Sequence, residues 1–159
     1  MLAEEYPPAF ESSIRFDVNR IGAAAVYCSD GRFGEQCDDL LHNGFHLPRY
    51  DRLAVSGGAA CLAGHFAAYR EEVAALEQLR FLVEVHGLEQ VILIAHDNCA
   101  FYSERLSVLP FELESQQRED MKKAVRRVRS LSEKLAVSAY FARIQDGNIV
   151  RFESVDCGG

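Results

Sequence analysis

The sequence predicts an α/β fold: a mainly parallel central sheet flanked by helices, with an antiparallel edge strand. Three observations lead there. Two short apolar runs, residues 21–27 and 91–95, lack polar alternation, as strands buried on both faces do. Between and after them stand long stretches with helical spacing of apolar residues. The chain then closes on two β-branched and aromatic runs separated by Asp146-Gly147, a hairpin pattern.

Taken in order, residues 1–20 mix prolines, acids and scattered aromatics, with Phe10, Ile14 and Phe16 as the candidates for a buried stripe. They read as an N-terminal arm lying over another surface, with at most a short helix, and residues 21–159 read as one domain. Residues 21–27 form the first strand. Its Gly22 and three alanines permit close packing on both sides, although alanine is a poor strand former. Residues 28–50 are polar and punctuated by glycine and proline, a loop with at most a short helix near 35–41. Leu53-Ala54-Val55 is a short strand ending in Ser56-Gly57-Gly58, where backbone can approach a ligand or a neighbouring helix closely. From 67 to 86, Val73, Leu76, Leu79 and Val83 recur at helical spacing, and Gly87 ends that helix as a C′ residue. After the strand at 91–95, Asp97 or Asn98 is placed to cap a helix beginning near Cys99. Residues 112–135 predict a long charged helix with Met121, Ala124, Val125, Val128 and Leu131 on one face, and the hairpin follows over 137–144 and 149–155.

A length of 159 residues, 48% hydrophobic and 26% charged, suits one domain with its own core. With 17 basic against 24 acidic residues, the net charge of -7 argues against nucleic acid or an anionic membrane as partner. The N-terminus carries acids where a signal peptide has bases, and no run is long enough to span a bilayer. Five cysteines, an odd number, favour reduced thiols engaged in metal or catalytic work over a disulfide framework, so the expected address is cytoplasmic.

The chemistry gathers at two strand ends. His96 and Cys99 lie just past one apolar run and Cys28 just past the other. In open α/β sheets the carboxyl ends of strands are where ligands bind. Zinc accepts thiolate and imidazole in tetrahedral geometry, and a catalytic site uses three protein ligands and leaves the fourth position to water. Cys28, His96 and Cys99 would fill three. Asp30 and Arg32 alternate with Cys28, so the guanidinium can grip the carboxylate and leave one oxygen free to accept a hydrogen bond; a purely structural ion pair is the alternative. A helix starting at Cys99 would add its positive end and favour thiolate. Cys37 and Cys61 lack such partners and read as structural, and Cys157 as part of a mobile tail. His42 and His46 read as surface histidines that could shuttle protons, and His86 as a helix-end residue. Lys122, Lys123, Arg126, Arg127 and Arg129 read as a solvated helix face. Ser56-Gly57-Gly58 has neither the lysine nor the spacing of a nucleotide loop.

At these residues the chain resembles the β-class carbonic anhydrases. Cys28-Ser29-Asp30-Gly31-Arg32 is similar to that family's Cys-x-Asp-x-Arg motif, and His96-Asp97-Asn98-Cys99 to its His-x-x-Cys motif. The helix that runs to His86-Gly87-Leu88 is similar to the one preceding the family's second metal strand. The resemblance implies one Zn2+ per chain on Cys28, His96 and Cys99, with Asp30 and Arg32 as the catalytic dyad. The reaction it implies is reversible hydration of carbon dioxide to bicarbonate by zinc-bound hydroxide. It also implies a homodimer or higher homo-oligomer in which the arm wraps the partner. Hydrolysis of carbonyl sulfide or carbon disulfide on the same scaffold is an alternative, as is a non-catalytic zinc protein with Asp30 closing the metal site. The chain departs from the family's pattern at Gly57-Gly58, where many members carry Arg-Asn, and at Ala100, where glycine is usual. It also has no tryptophan, which removes a bicarbonate-binding regulatory pocket built on that residue.

Overall fold

A computed structural model describes residues 6–158. Five strands form one sheet in the order β2-β1-β3-β4-β5: β1 (Ala23–Cys28), β2 (Asp51–Val55), β3 (Gln90–His96), β4 (Ala136–Gln145) and β5 (Ile149–Ser154). All neighbours run parallel except β4 and β5, which pair antiparallel from Gln145↔Ile149 to Tyr140↔Ser154. The predicted mainly parallel sheet with one antiparallel edge is therefore what the chain forms. Gly147, at φ +74, makes the reversal between β4 and β5.

β1 and β3 sit at the centre and are buried on both faces, so neither shows polar alternation. On one face Ala24, Val26, Val91 and Leu93 pack under two helices, α2 (Tyr69–His86) and α3 (Leu113–Arg129). On the other, Ala23, Ala25, Tyr27, Ile92 and Ile94 pack against α1 (Gly34–Asp39) and the wide turn Leu40–Gly44 that continues it. The alanines of β1 let both layers approach the sheet. Full burial of a side chain such as Leu79 contributes roughly 1.5–3 kcal/mol.

Helix α2 ends as expected, with Gly87 in the left-handed region and its amide bonded to the Val83 carbonyl. Ala75, Leu79 and Val83 face the core and Leu76 packs beside them, whereas Val73 stays exposed. The small Ala75 turns the buried stripe away from Val73. Helix α3 is shorter than its charge pattern suggests, stopping at Arg129 rather than near Leu135. Ser130 Oγ donates to the Arg127 carbonyl and Ser132 Oγ accepts from the Lys134 amide, so hydroxyls compete with the helical ladder there.

No α-helix begins at Cys99. Asn98 is left-handed at φ +53, Asp97 gives its carboxylate to the Ile144 amide at 2.7 Å, and only one wide turn, Phe101–Arg105, follows. The expected contribution of a helix dipole to the thiolates therefore drops out. The tail also differs from expectation, since Cys157 is half-buried against the main core. Residues 6–20 contain neither helix nor strand, and Phe10, Ile14 and Phe16 are all more than 80% exposed. Arg49 anchors the end of this segment through the carbonyls of Asp17 and Asn19.

Candidate metal centre

The chain leaves β1 toward β2 on one side and returns to β3 on the other, so the strand order reverses between β1 and β3. That crevice, beyond the carboxyl ends of the strands, is where such sheets take ligands. Cys28 is the last residue of β1 and His96 the last of β3. One ligand atom from each of Cys28, His96 and Cys99 lies within 4.8 Å of the other two. Two strands whose hydrogen-bonded register runs from Ala23↔Gln90 to Val26↔Leu93 thus bring together residues far apart in sequence.

The donor set fits zinc on three observations. The sulfurs of Cys28 and Cys99 are 3.9 Å apart. Two Zn–S bonds of about 2.3 Å at the tetrahedral angle place their sulfurs about 3.8 Å apart. Second, His96 is buried and its Nδ1 lies 2.7 Å from the Asp97 carbonyl, which fixes the proton on that nitrogen. Third, Nε2 of the same ring is buried without a hydrogen-bond partner, the state of a nitrogen whose lone pair is reserved for a metal. Among the described residues no other group of histidines, cysteines and acids meets in this way.

The electrostatics suit a cation as well. The Cys99 thiol bonded to Cys28, opposed by burial and assisted by His96, pulls the Cys28 thiol down to about 4. Cys99 moves the other way, because it donates to Cys28 and is buried beside the resulting charge. The pair loses one proton readily and holds the second until a cation replaces it. Cys37 and Cys61, by contrast, are pushed up by burial to about 12 and about 11, as inert packing thiols are. The Cys61 thiol donates to the Ser56 carbonyl.

Asp30 and Arg32 face each other in a two-pronged ion pair, Arg32 Nη2 to Oδ2 at 2.6 Å and Nε to Oδ1 at 3.0 Å. Asp30 also caps the short turn Gly31–Phe33 by accepting from the Arg32 amide. The Arg32 side-chain hydrogen bonds hold its carboxyl down at about 2 against an opposing desolvation. Phe33, buried, lays its ring 4.2 Å from the His96 ring. Clefts of about 380 and 340 Å³ reach the flanking segments, the first lined by Val55, Ser56 and Phe101, the second by Arg32, Asp97 and Asn98.

Gly57 and Gly58 are structural necessities here. Both have positive φ; a Cβ on Gly57 would lie 2.4 Å from the Phe101 ring, and one on Gly58 3.0 Å from the Cys28 amide nitrogen. Sequence reasoning missed Phe33 over His96, and it missed Gln117 and Asp120, which α3 buries behind the centre. A signal existed: Gln117 precedes Met121, Ala124 and Val128 at the spacing of one helix face. His42 and His46 are exposed, and His86 pairs with Asp51 across 2.6 Å.

A family model described as "Putative carbonic anhydrase" matches residues 19–151. No match was found among curated proteins. Among solved structures, the chain is similar to β-carbonic anhydrase isoform I of the protozoan Trichomonas vaginalis, with a TM-score of 0.56, 14% identity and 87% of each chain covered. It is similar to the carbonic anhydrase of Glaciozyma antarctica, with a TM-score of 0.56, 19% identity, and 84% of this chain and 81% of that one covered. The carbonic anhydrase of Streptococcus mutans gives 0.53 and 16% over the same shares.

Proposed function

Because the chain belongs to the family described as "Putative carbonic anhydrase" and has the fold of the β-class enzymes, we propose that it is a zinc lyase, a carbonate dehydratase that interconverts carbon dioxide and bicarbonate. In this reading Cys28, His96 and Cys99 hold one zinc per chain, and Asp30 and Arg32 are the catalytic residues. The observation that carries it is the meeting of two sulfurs and an unpartnered buried imidazole nitrogen at the sheet's switch point, beside a carboxylate held by arginine.

Zinc in that position supplies a Lewis acid that brings the pKa of a water toward neutrality. The chain's own residues do the rest. The Asp97 carbonyl orients the His96 ring, and Phe33 covers it from solvent. Arg32 occupies both Asp30 oxygens, which keeps the carboxylate ionised and restrains it from becoming a fourth ligand. Asp30 so held is a fixed hydrogen-bond acceptor that would orient the reacting water or hydroxide, aiming its lone pair at the substrate carbon. A site closed permanently by Asp30 is disfavoured by this ion pair.

The same reading takes residues 1–20 as an arm wrapping a second copy and 21–159 as the zinc domain. The exposed Phe10, Ile14 and Phe16 support that homodimer. Five unpaired cysteines support a cytoplasmic address, and among the described residues no helix is long and apolar enough to cross a membrane.

Stopped-flow hydration of carbon dioxide by zinc-loaded protein tests the function, with carbonyl sulfide and carbon disulfide as parallel substrates. Elemental analysis of the wild type and of Cys99→Ser accompanies it. Stoichiometric zinc that is lost in Cys99→Ser, together with carbon dioxide turnover, is the expected result. Zinc without turnover of any of the three would replace the lyase by a closed zinc protein, and turnover of carbonyl sulfide or carbon disulfide alone would reassign the substrate.

A further inference from the structure

Helix α3 turns two polar side chains into the interior, Gln117 and Asp120, which are 1% and 0% exposed. Polar groups buried this deeply usually find partners; Gln117 Oε1 has none, and the partners that the two side chains do have lead toward the metal centre. Gln117 Nε2 donates at 2.9 Å to the carbonyl of His96, where β3 ends. Asp120 Oδ2 accepts from the Tyr102 hydroxyl at 2.9 Å and from His65 Nε2 at 2.6 Å, while its Oδ1 accepts from Gln116 at 3.0 Å. Tyr102 packs with Ala60 against Cys99, and its amide donates to the Cys99 carbonyl at 3.1 Å. His65 stands just after the turn Gly58–Leu62, whose first residue lies against the Cys28 amide.

Two residues three positions apart on one helix therefore reach the His96 and Cys99 segments and, through His65, the stretch that follows the turn packed against Cys28. Apolar side chains would attach α3 to the sheet without the desolvation that a buried carboxylate costs, so attachment alone does not account for Asp120. What hydrogen bonds add over packing is fixed distance and direction. We infer that Gln117 and Asp120 are positioning residues of the metal centre. Through the His96 carbonyl, Tyr102 and His65 they set the spacing of the ligand segments, so that α3 governs metal affinity and coordination geometry without touching the metal. The inference rests on Cys28, His96 and Cys99 being the ligands.

The test compares Gln117→Leu, Asp120→Asn and Tyr102→Phe with Met121→Leu, a packing control on the same face. Zinc affinity is measured by chelator competition, and the cobalt-substituted proteins are compared by their thiolate charge-transfer and d–d absorption bands. The three positioning variants are expected to lose roughly 10–100-fold in zinc affinity and to shift the cobalt bands while far-UV circular dichroism stays that of the wild type. Met121→Leu should change neither. Wild-type affinity and superimposable cobalt spectra in the three variants would overturn the inference, even if their melting temperatures fell, because a merely structural role moves only stability. Should Asp120→Asn fail to fold, Tyr102→Phe decides the point, since it removes one oxygen and keeps the ring. A wild type that takes up no zinc overturns the ligand assignment and this inference together; zinc uptake indifferent to the variants overturns this one alone.

Discussion

Gly58 and Gly147 make a matched pair that separates backbone strain from crowding. Both are left-handed, at φ +52 and +74, so alanine at either carries the same conformational cost of about 1–2 kcal/mol. They differ in the space around them. A Cβ on Gly147 meets nothing within 4 Å, whereas one on Gly58 lies 3.0 Å from the Cys28 nitrogen and 3.1 Å from the Ile94 oxygen and the Tyr27 carbonyl carbon. These are backbone atoms of β1 and β3 at the centre of the sheet, and no rotamer change relieves them. Crowding of this kind adds about 1–3 kcal/mol. Gly147→Ala should therefore cost about 1–2 kcal/mol and Gly58→Ala about 2–5 kcal/mol, and each kcal/mol lowers the melting temperature of a chain this size by about 2–4 °C. Urea unfolding of metal-free protein in excess chelator measures both, with equal m-values as the check that only stability changed. Gly58→Ala should also weaken zinc retention, since the atom it presses on belongs to Cys28, while Gly147→Ala should leave it unchanged. Equal losses of stability in the two variants would refute the reasoning, because crowding of buried Gly58 against the two central strands is what should separate it from exposed Gly147.

Further expectations follow from the ion pairs and the arm. Asp30→Asn and Arg32→Ala should both keep stoichiometric zinc yet lose on the order of 10²-fold in carbon dioxide hydration; cobalt spectra should change only in Arg32→Ala, where the freed carboxylate reaches the metal, and full activity in either variant would remove the dyad. Sedimentation at micromolar concentration should give a dimer for the full chain and a monomer when residues 1–20 are removed, since Phe10, Ile14 and Phe16 each stand to gain roughly 1.5–3 kcal/mol from burial; a monomeric full chain would end this reading. Arg143, with Arg118, lowers the carboxyls of Glu114 and Glu153 below the unfolded value of 4.5, so their contribution is complete above that pH and is lost as pH falls through the depressed values. Glu153→Gln should accordingly melt below the wild type at pH 7 and converge with it in acid, the gap shrinking also in high salt; a gap that persisted in acid would show that the ion pairs are not its source.

The legible parts of the fold were those set by local chemistry. β1 and β3 announced themselves because strands covered on both faces leave no room for polar alternation, and Gly87 marked a helix end because it alone tolerates the left-handed turn there. The convergence of Cys28, His96 and Cys99 was legible because each residue stands at or just beyond the end of an apolar run. Where the reading failed, a tertiary partner had captured a local signal. Asp97 looked like a helix cap, but the Ile144 amide takes its carboxylate. Ser56-Gly57-Gly58 was legible as a place of close backbone approach to a ligand or a neighbouring element, and it is the Phe101 ring and the backbone of β1 and β3 that approach it. Gln117 and Asp120 were overlooked because a polar residue on a charged helix reads as exposed; the face spacing marked Gln117, but the groups that partner the two come from positions 65, 96 and 102, which spacing along α3 does not reveal.

The pairing of β1 with β3 across a long crossover also orders events at the chain's birth. Cys28 and Cys99 are 71 positions apart. At synthesis rates of roughly 5–20 residues per second, roughly 4–14 s separate the appearance of the first sulfur from that of the second. Over that interval β1 has β2 as its only parallel neighbour, and Cys28 has neither the partner thiol nor the His96 ring. Parallel pairing with β3 must also wait for the crossover through α2 to form. The nascent chain thus passes through a stage in which a lone thiol meets oxidants and stray metals uncovered. Damage to this protein under oxidising conditions should fall on newly made molecules first, and mature ones, in which Cys28 is partly covered beside Cys99 and His96, should outlast them.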